Sequence, residues 1–193
     1  MIFTGVGSRE TPPIAMELLT AYARICAKAG MTGRSGAAAG ADTAIETGID
    51  LARGKKEIYL PWRGFNSSTS SFFGVTDQAL AMAAKVHPAW DRLSDAAKKL
   101  HGRNVYQVLG ANLSAPSNFL ICWTADGIET EAERTRKSGG TATAIVLACR
   151  HGVPVFNIAK SGTIKKLNDF LQKNGVTDTF PSVTTEKVQA PLF

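Results

Sequence analysis

The sequence predicts an α/β fold: Rossmann-like, with a mostly parallel sheet flanked by helices on both faces, in a single domain. Three observations carry this. Short apolar segments alternate with segments of helical periodicity along the chain. The run Phe119–Trp123 is apolar at every position, as expected of a strand covered by helices on both sides. Glycine-rich turns follow apolar runs and open helices, at 34–42 and again at 138–141. Parallel neighbours need crossover connections, and those connections are the helices.

Residues 1–5 form the first expected strand, ending in Gly5-Val6-Gly7-Ser8-Arg9. Thr11-Pro12-Pro13 then supplies a cap residue and prolines suited to a first helical turn. In the helix that follows, Ile14, Leu18, Tyr22, Ile25 and Ala29 recur three or four apart, leaving Glu17, Arg24 and Lys28 in water. Gly30 is its stop. Residues 31–33 make a short second strand. The first glycine-rich turn leads into a helix whose Ala41, Ala44, Ile45, Gly48, Ile49 and Ala52 share a face, with Asp42 and Glu46 off that stripe. Residues 58–60 are expected as a third strand closed by Pro61, and 62–74 as a Ser-, Gly- and aromatic-rich loop placed to cover a pocket.

A short helix is expected over 76–84, a minor strand over 85–87, and a helix capped by Ser94 that ends at Gly110. In that last helix Ala97, Leu100, His101, Val105, Val108 and Leu109 align, and Arg103-Asn104 sits mid-helix. After the apolar strand Phe119–Trp123 comes a charged stretch over 125–138. Gly139-Gly140-Thr141 then opens a helix that runs to Arg150. Residues 153–158 form the last expected strand and 163–172 a closing helix, whereas 176–193 lack periodicity. Residues 1–160 are read as the Rossmann-like domain, with 161–193 packing on it as a C-terminal helix and tail.

A chain of 193 residues suffices for one domain with a substantial core, and 44% apolar with 20% charged residues argues against disorder. The longest apolar stretches are far shorter than a membrane span, and Met1-Ile2-Phe3 carries no charged leader, so a cytoplasmic protein without a membrane partner is expected. Cys26, Cys122 and Cys149 are widely spaced in apolar segments and are read as buried thiols. His87, His101 and His151 lack metal-ligand spacing or an acidic partner nearby, so no metal site, nucleophilic triad or cofactor is expected. A net charge of +6 and a pI near 9.4 attract polyanions, but so small an excess is common in proteins that bind no nucleic acid, which is therefore the less favoured partner.

The chemistry is expected at the glycine-rich turns. Helix N-termini leave backbone N–H groups unpaired at the positive end of the helix dipole, and glycine lets an anion approach that backbone. In an open parallel sheet, ligands sit at the carboxyl ends of the strands, where these turns fall. The candidate ligand-binding residues are Gly7, Ser8 and Arg9 after the first strand; Arg34, Ser35, Gly36, Ala37, Gly40 and Asp42 in the first turn; and Gly139, Gly140 and Thr141 in the second. Ser8 and Arg9 offer a hydroxyl and a guanidinium fork to a phosphate or carboxylate. Asp42 either complements the helix dipole or holds a ribose hydroxyl. Gly5-Val6-Gly7 lacks the third glycine and the acidic residue of the dinucleotide fingerprint, and no lysine follows either turn as in an ATPase.

Gly7-Ser8-Arg9, Ser35-Gly36-Ala37-Ala38-Ala39-Gly40-Ala41-Asp42, and Gly139-Gly140-Thr141 with the stretch 148–157, in this order, resemble the SLOG superfamily. That group includes the DNA-processing proteins, the cytokinin-activating phosphoribohydrolases, sensors of antiviral defence and compact stand-alone members from bacteriophages. The resemblance spans about residues 1–160 and implies a homo-oligomeric protein whose three motifs bind a nucleotide or a nucleotide-derived molecule, ADP-ribose-like or cyclic. It also implies a phage anti-defence role in sequestering such a signal.

The departures are informative. The phosphoribohydrolases carry a glutamate three residues after their glycine-threonine run, and the matching position here is Ala144. Without that carboxylate a developing ribosyl cation loses its support, so binding without turnover is expected, with Asp42, Glu46 or Asp126 as the substitutes that hydrolysis would need. The DNA-processing members add a further domain that this length leaves no room for. A single-strand DNA binder using Lys98, Lys99, Arg103, Arg134, Arg136 and Lys137 is the remaining reading.

Overall fold

The computed structural model of the chain describes residues 1–181. In order, its elements are β1 (Ile2–Gly7), α1 (Pro13–Lys28), β2 (Thr32–Ser35), α2 (Ala41–Leu51), β3 (Lys56–Ile58), α3 (Asp77–Ala84), α4 (Asp95–Leu109), β4 (Phe119–Trp123), α5 (Thr141–Arg150), β5 (Val155–Asn157) and α6 (Thr163–Lys173). The five strands form one sheet in the order β3-β2-β1-β4-β5, every neighbouring pair parallel. This is the α/β architecture expected, with helices on both faces of a parallel sheet.

Side-chain alternation assigns the faces. Phe3, Phe119 and Ile121 point into the layer built by α1, α2 and α6, whereas Val6, Leu120 and Cys122 point into that of α3, α4 and α5. Gly5 makes the first layer close. A Cβ there would overlap Ile45, so the glycine lets α2 lie directly on β1. The second layer is unusual in that residues 101–109 of α4 are all buried although five of them, His101, Gly102, Arg103, Asn104 and Gln107, are polar or glycine. The sheet engages that helix through polar atoms: Thr4 Oγ1 donates to the Gln107 carbonyl at 2.6 Å.

Because the chain winds outward from β1 in one direction and outward from β4 in the other, the strand order reverses between β1 and β4. The loops leaving these two strands diverge to opposite faces and open a crevice at their carboxyl ends.

Several sequence expectations shift. The minor strand expected over 85–87 is absent, since Lys85 and Val86 form the turn that ends α3, where Val86 and His87 donate to the Ala83 carbonyl. The third strand pairs with β2 through Lys56–Ile58 rather than 58–60, and Leu60 instead bridges Phe73. The last strand is only Val155–Asn157. Of the tail expected to pack on the domain, residues 182–193 lie outside the described part. Among the described residues no helix is long and apolar enough to cross a membrane. Cys26 and Cys122 are buried and Cys149 is half-buried, all unpaired.

Candidate functional site

A cavity of about 610 Å³ occupies the crevice between the ends of β1 and β4. Its walls come from four places: the β1 exit (Val6 through Glu10), the start of α2 and the turn before it (Ala38 and Asp42), the approach to α5 (Arg136 through Thr141), and one face of α4. On α4 the wall residues Ala97, Leu100, His101, Asn104 and Gln107 recur at three- and four-residue spacing, joined by Arg103, which is one stripe of a helix.

The α5 end is open. No side chain caps this helix, and among the described residues no backbone acceptor engages the N–H of Gly140 or Thr141. Both residues line the cavity, so these donors and the positive end of the α5 dipole face the space where an anion would sit. Gly140 is held from behind by Asn104, whose Nδ2 donates to its carbonyl at 3.0 Å. Gly139 takes φ +57, a conformation that favours glycine, and this brings the chain from the preceding turn into the helix.

That preceding turn is anchored by Asp126. The Thr135 and Ser138 hydroxyls both donate to its Oδ2. Burial raises the Asp126 carboxyl, but the bonds from Ser138, Thr135 and Thr124 outweigh it and leave the group below its ordinary value. The clamp presents Arg136 and Lys137 at the cavity rim. These two, with Arg9 across the opening, form no ion pair among the described residues, and the nearby exposed carboxylate Glu10 is likewise unpaired. The rim is thus electropositive.

The first glycine-rich turn behaves differently. Arg103 reaches from α4 into its concavity, where Nη1 donates to the Gly36 carbonyl and lies 3.2 Å from Asp42 Oδ2. Asp42 also accepts from the Ala38 N–H at 3.4 Å. Burial opposes charge on both partners: it raises the Asp42 carboxyl against the pull of Arg103, and it lowers the Arg103 guanidinium against the pull of Asp42, Arg9 adding to the lowering. Arg103 Nε is left buried without a hydrogen-bond partner among the described residues.

The residues expected at the site therefore divide. Gly7, Ser8, Arg9, Asp42, Gly139, Gly140 and Thr141 all line the cavity. Arg34, Ser35, Gly36, Ala37 and Gly40 do not. Arg34 is spent elsewhere, donating Nε to Glu57 at 2.7 Å and Nη1 to the Ala115 carbonyl at 2.6 Å. Ser35 is spent on the Gly5 carbonyl at 2.9 Å. Gly36 is covered by Arg103, Ala37 gives its carbonyl to Asn66, and Gly40 packs on the backbone of Ser8 and Arg9. Asp42, placed off the core stripe from sequence, is buried in its ion pair. Of the alternative carboxylates, Glu46 pairs with Lys56 at 2.8 Å, away from the cavity. The aromatic loop 62–74 contributes nothing to the wall; its Phe65 packs instead on Ala38, Ile58 and Leu60.

Sequence reasoning did not place His101 or Gln107 at the site. The signal available was a helix whose cavity-facing stripe mixes apolar residues with His, Asn and Gln. His101 is buried, with Nδ1 and Thr143 Oγ1 hydrogen-bonded at 2.8 Å. Burial, with His87, Arg134 and Arg103 nearby, lowers it to about 4, so the ring is neutral at pH 7. Among the described residues no group of three or more His, Cys, Asp or Glu side chains comes together in a metal-binding arrangement.

No protein-family model, no curated protein and no solved structure matches this chain.

Proposed function

We propose that the protein binds a nucleotide or a nucleotide-derived small molecule in this cavity, its phosphates against Gly140, Thr141 and the β1 exit, and that it does so without turning the ligand over. One observation carries the reading: the uncapped N-terminus of α5 opens into a 610 Å³ space at the reversal of strand order. The volume suits a small-molecule ligand. Ser8, Arg9, Arg136 and Lys137 supply further donors to phosphate oxygens. Val6, Ala38, Ala97 and Leu100 offer apolar surface for a sugar or base.

Absence of turnover is supported by the carboxylates. Cleaving an N-glycosidic bond needs an anion beside the developing ribosyl cation. Of the two carboxylates on the cavity wall, Asp42 is neutralised by Arg103, and Glu10 stands exposed at the rim. A binder of this kind acts by holding its ligand, and sequestration of a nucleotide-derived signal is the use that the SLOG resemblance implies. The DNA reading is weakened because Arg103 is committed to Asp42 and Arg134 to the Val86 carbonyl.

Calorimetric titration with AMP, ADP, ADP-ribose and cyclic nucleotides, followed by chromatography of the mixtures, tests the reading. Saturable heat with intact ligand is the expected result. No heat and no thermal shift across the whole set overturns it, and release of free base transfers the site to hydrolysis.

A further inference from the structure

His101 lies beside the position where an anion would meet α5. Its Cε1 is 3.8 Å from where a side-chain carbon at Gly140 would stand, so the ring edge flanks the open amides of Gly140 and Thr141. The residue is only 9% exposed, and that exposure is toward the cavity it lines. Nδ1 is engaged by Thr143, while Nε2 has no hydrogen-bond partner among the described residues. The ring is fixed by edge contacts with His87 at 4.5 Å and Trp90 at 6.4 Å between centroids. A hydroxyl either donates or accepts, so the Thr143 contact survives whether or not the imidazole is charged.

We propose that His101 is a further ligand contact of this cavity, one that takes up a proton and becomes a cationic donor as an anionic ligand settles on Gly140 and Thr141. The proposal rests on the reading of the cavity as a phosphate site. It follows from the charges around the ring. His87 from the turn after α3, Arg134 from the segment before α5 and Arg103 from α4 itself all act against protonation, and α5 contributes only the uncharged Thr143. Lys98 is one step removed, over the Trp90 ring at 6.0 Å. An anion on the α5 amides would be the negative charge that this ring lacks, and it would favour the imidazolium. Binding then couples to proton uptake, so affinity rises as pH falls. Selectivity follows too, because a neutral ligand gains nothing from acid while an anionic one does.

ADP-ribose is the suitable probe, because its bridging phosphates keep constant charge over the range in which a terminal phosphate titrates, near pH 6. Calorimetry from pH 8 to 5.5 is expected to show the dissociation constant falling roughly tenfold, with proton uptake read at pH 6.5 from buffers of different ionisation enthalpy. In His101→Gln, which keeps an uncharged polar group in the cavity, the dissociation constant is expected to stay flat with pH within about twofold and the proton uptake to vanish. His101→Asn, which retains a partner for Thr143, gives the same result if the glutamine variant folds poorly. Binding that is independent of pH in the unaltered protein overturns the role of His101 and leaves the phosphate site standing. A pH dependence that persists in His101→Gln also overturns it, because the proton then goes to another group. Failure to bind at any pH removes the phosphate site, and this proposal with it.

Discussion

Arg103 Nη1 lies 3.2 Å from Asp42 Oδ2 and donates to the Gly36 carbonyl, so a side chain from α4 fills the concavity of the turn between β2 and α2. The glycine there serves an internal guanidinium. A Cβ at Gly36 would overlap both Arg103 and Gln107.

Breaking that pair is expected to be costly. Asp42→Ala leaves a buried guanidinium uncompensated, a loss of about 3–5 kcal/mol, whereas combining it with Arg103→Met returns much of the stability. Chemical denaturation of the two single variants and the double variant checks the coupling.

Gly140 separates binding from folding. Its φ of −65° is helical and a Cβ there meets only the edge of His101, so Gly140→Ala is expected to fold with unchanged or slightly higher stability. The added methyl enters the cavity beside the open amides and is expected to weaken ligand binding by about tenfold, the equivalent of about 1.4 kcal/mol. Melting temperature and calorimetric affinity, measured together, give the two readouts.

Arg136 and Lys137 are exposed and form no ion pair among the described residues. Replacing either with Ala is expected to change stability by less than about 0.5 kcal/mol. Affinity for an anionic ligand should fall several-fold, and its dependence on salt should become shallower. Titrations at low and high ionic strength measure both effects.

Asp126 organises the same rim from below. Its carboxyl is held below the ordinary value, so its stabilising contribution is complete above the unfolded-state value near 3.8 and is lost as pH falls through the lower folded-state value. The clamp is therefore intact across neutral and mildly acid solution. Asp126→Ala is expected to cost about 1–2 kcal/mol and to weaken binding through loss of the Thr135 and Ser138 contacts. Comparison of melting curves and ligand titrations at pH 7 tests this, and an unchanged affinity would separate the turn from the site.

Strand and helix content was legible where local chemistry decides it. The run Phe119–Trp123 became the fully buried β4, and the Thr76 and Ser94 side chains cap α3 and α4 by accepting from Ala79 and Ala97. Register was less legible: β3 pairs through Lys56–Ile58 because the partner residues Gly33 to Ser35 select it, whereas the apolar residues just beyond it carry the stronger local pattern. The cavity was half legible. Gly139, Gly140 and Thr141 line it and were singled out from sequence, because a glycine-rich turn that opens a helix is a local pattern. The role of Arg103 depends on partners 61 and 67 positions away and was not.

The sequence by itself determined an alternating α/β chain whose glycine turns fall at the carboxyl edge of a parallel sheet, because periodicity, caps and turn residues act within a few positions. Only the tertiary structure decided which turn stays open. Both turns are rich in small residues, but burial of α4 drives Arg103 into one to meet Asp42, while at the other Asn104 takes the Gly140 carbonyl and the Gly140 and Thr141 amides are left facing the cavity.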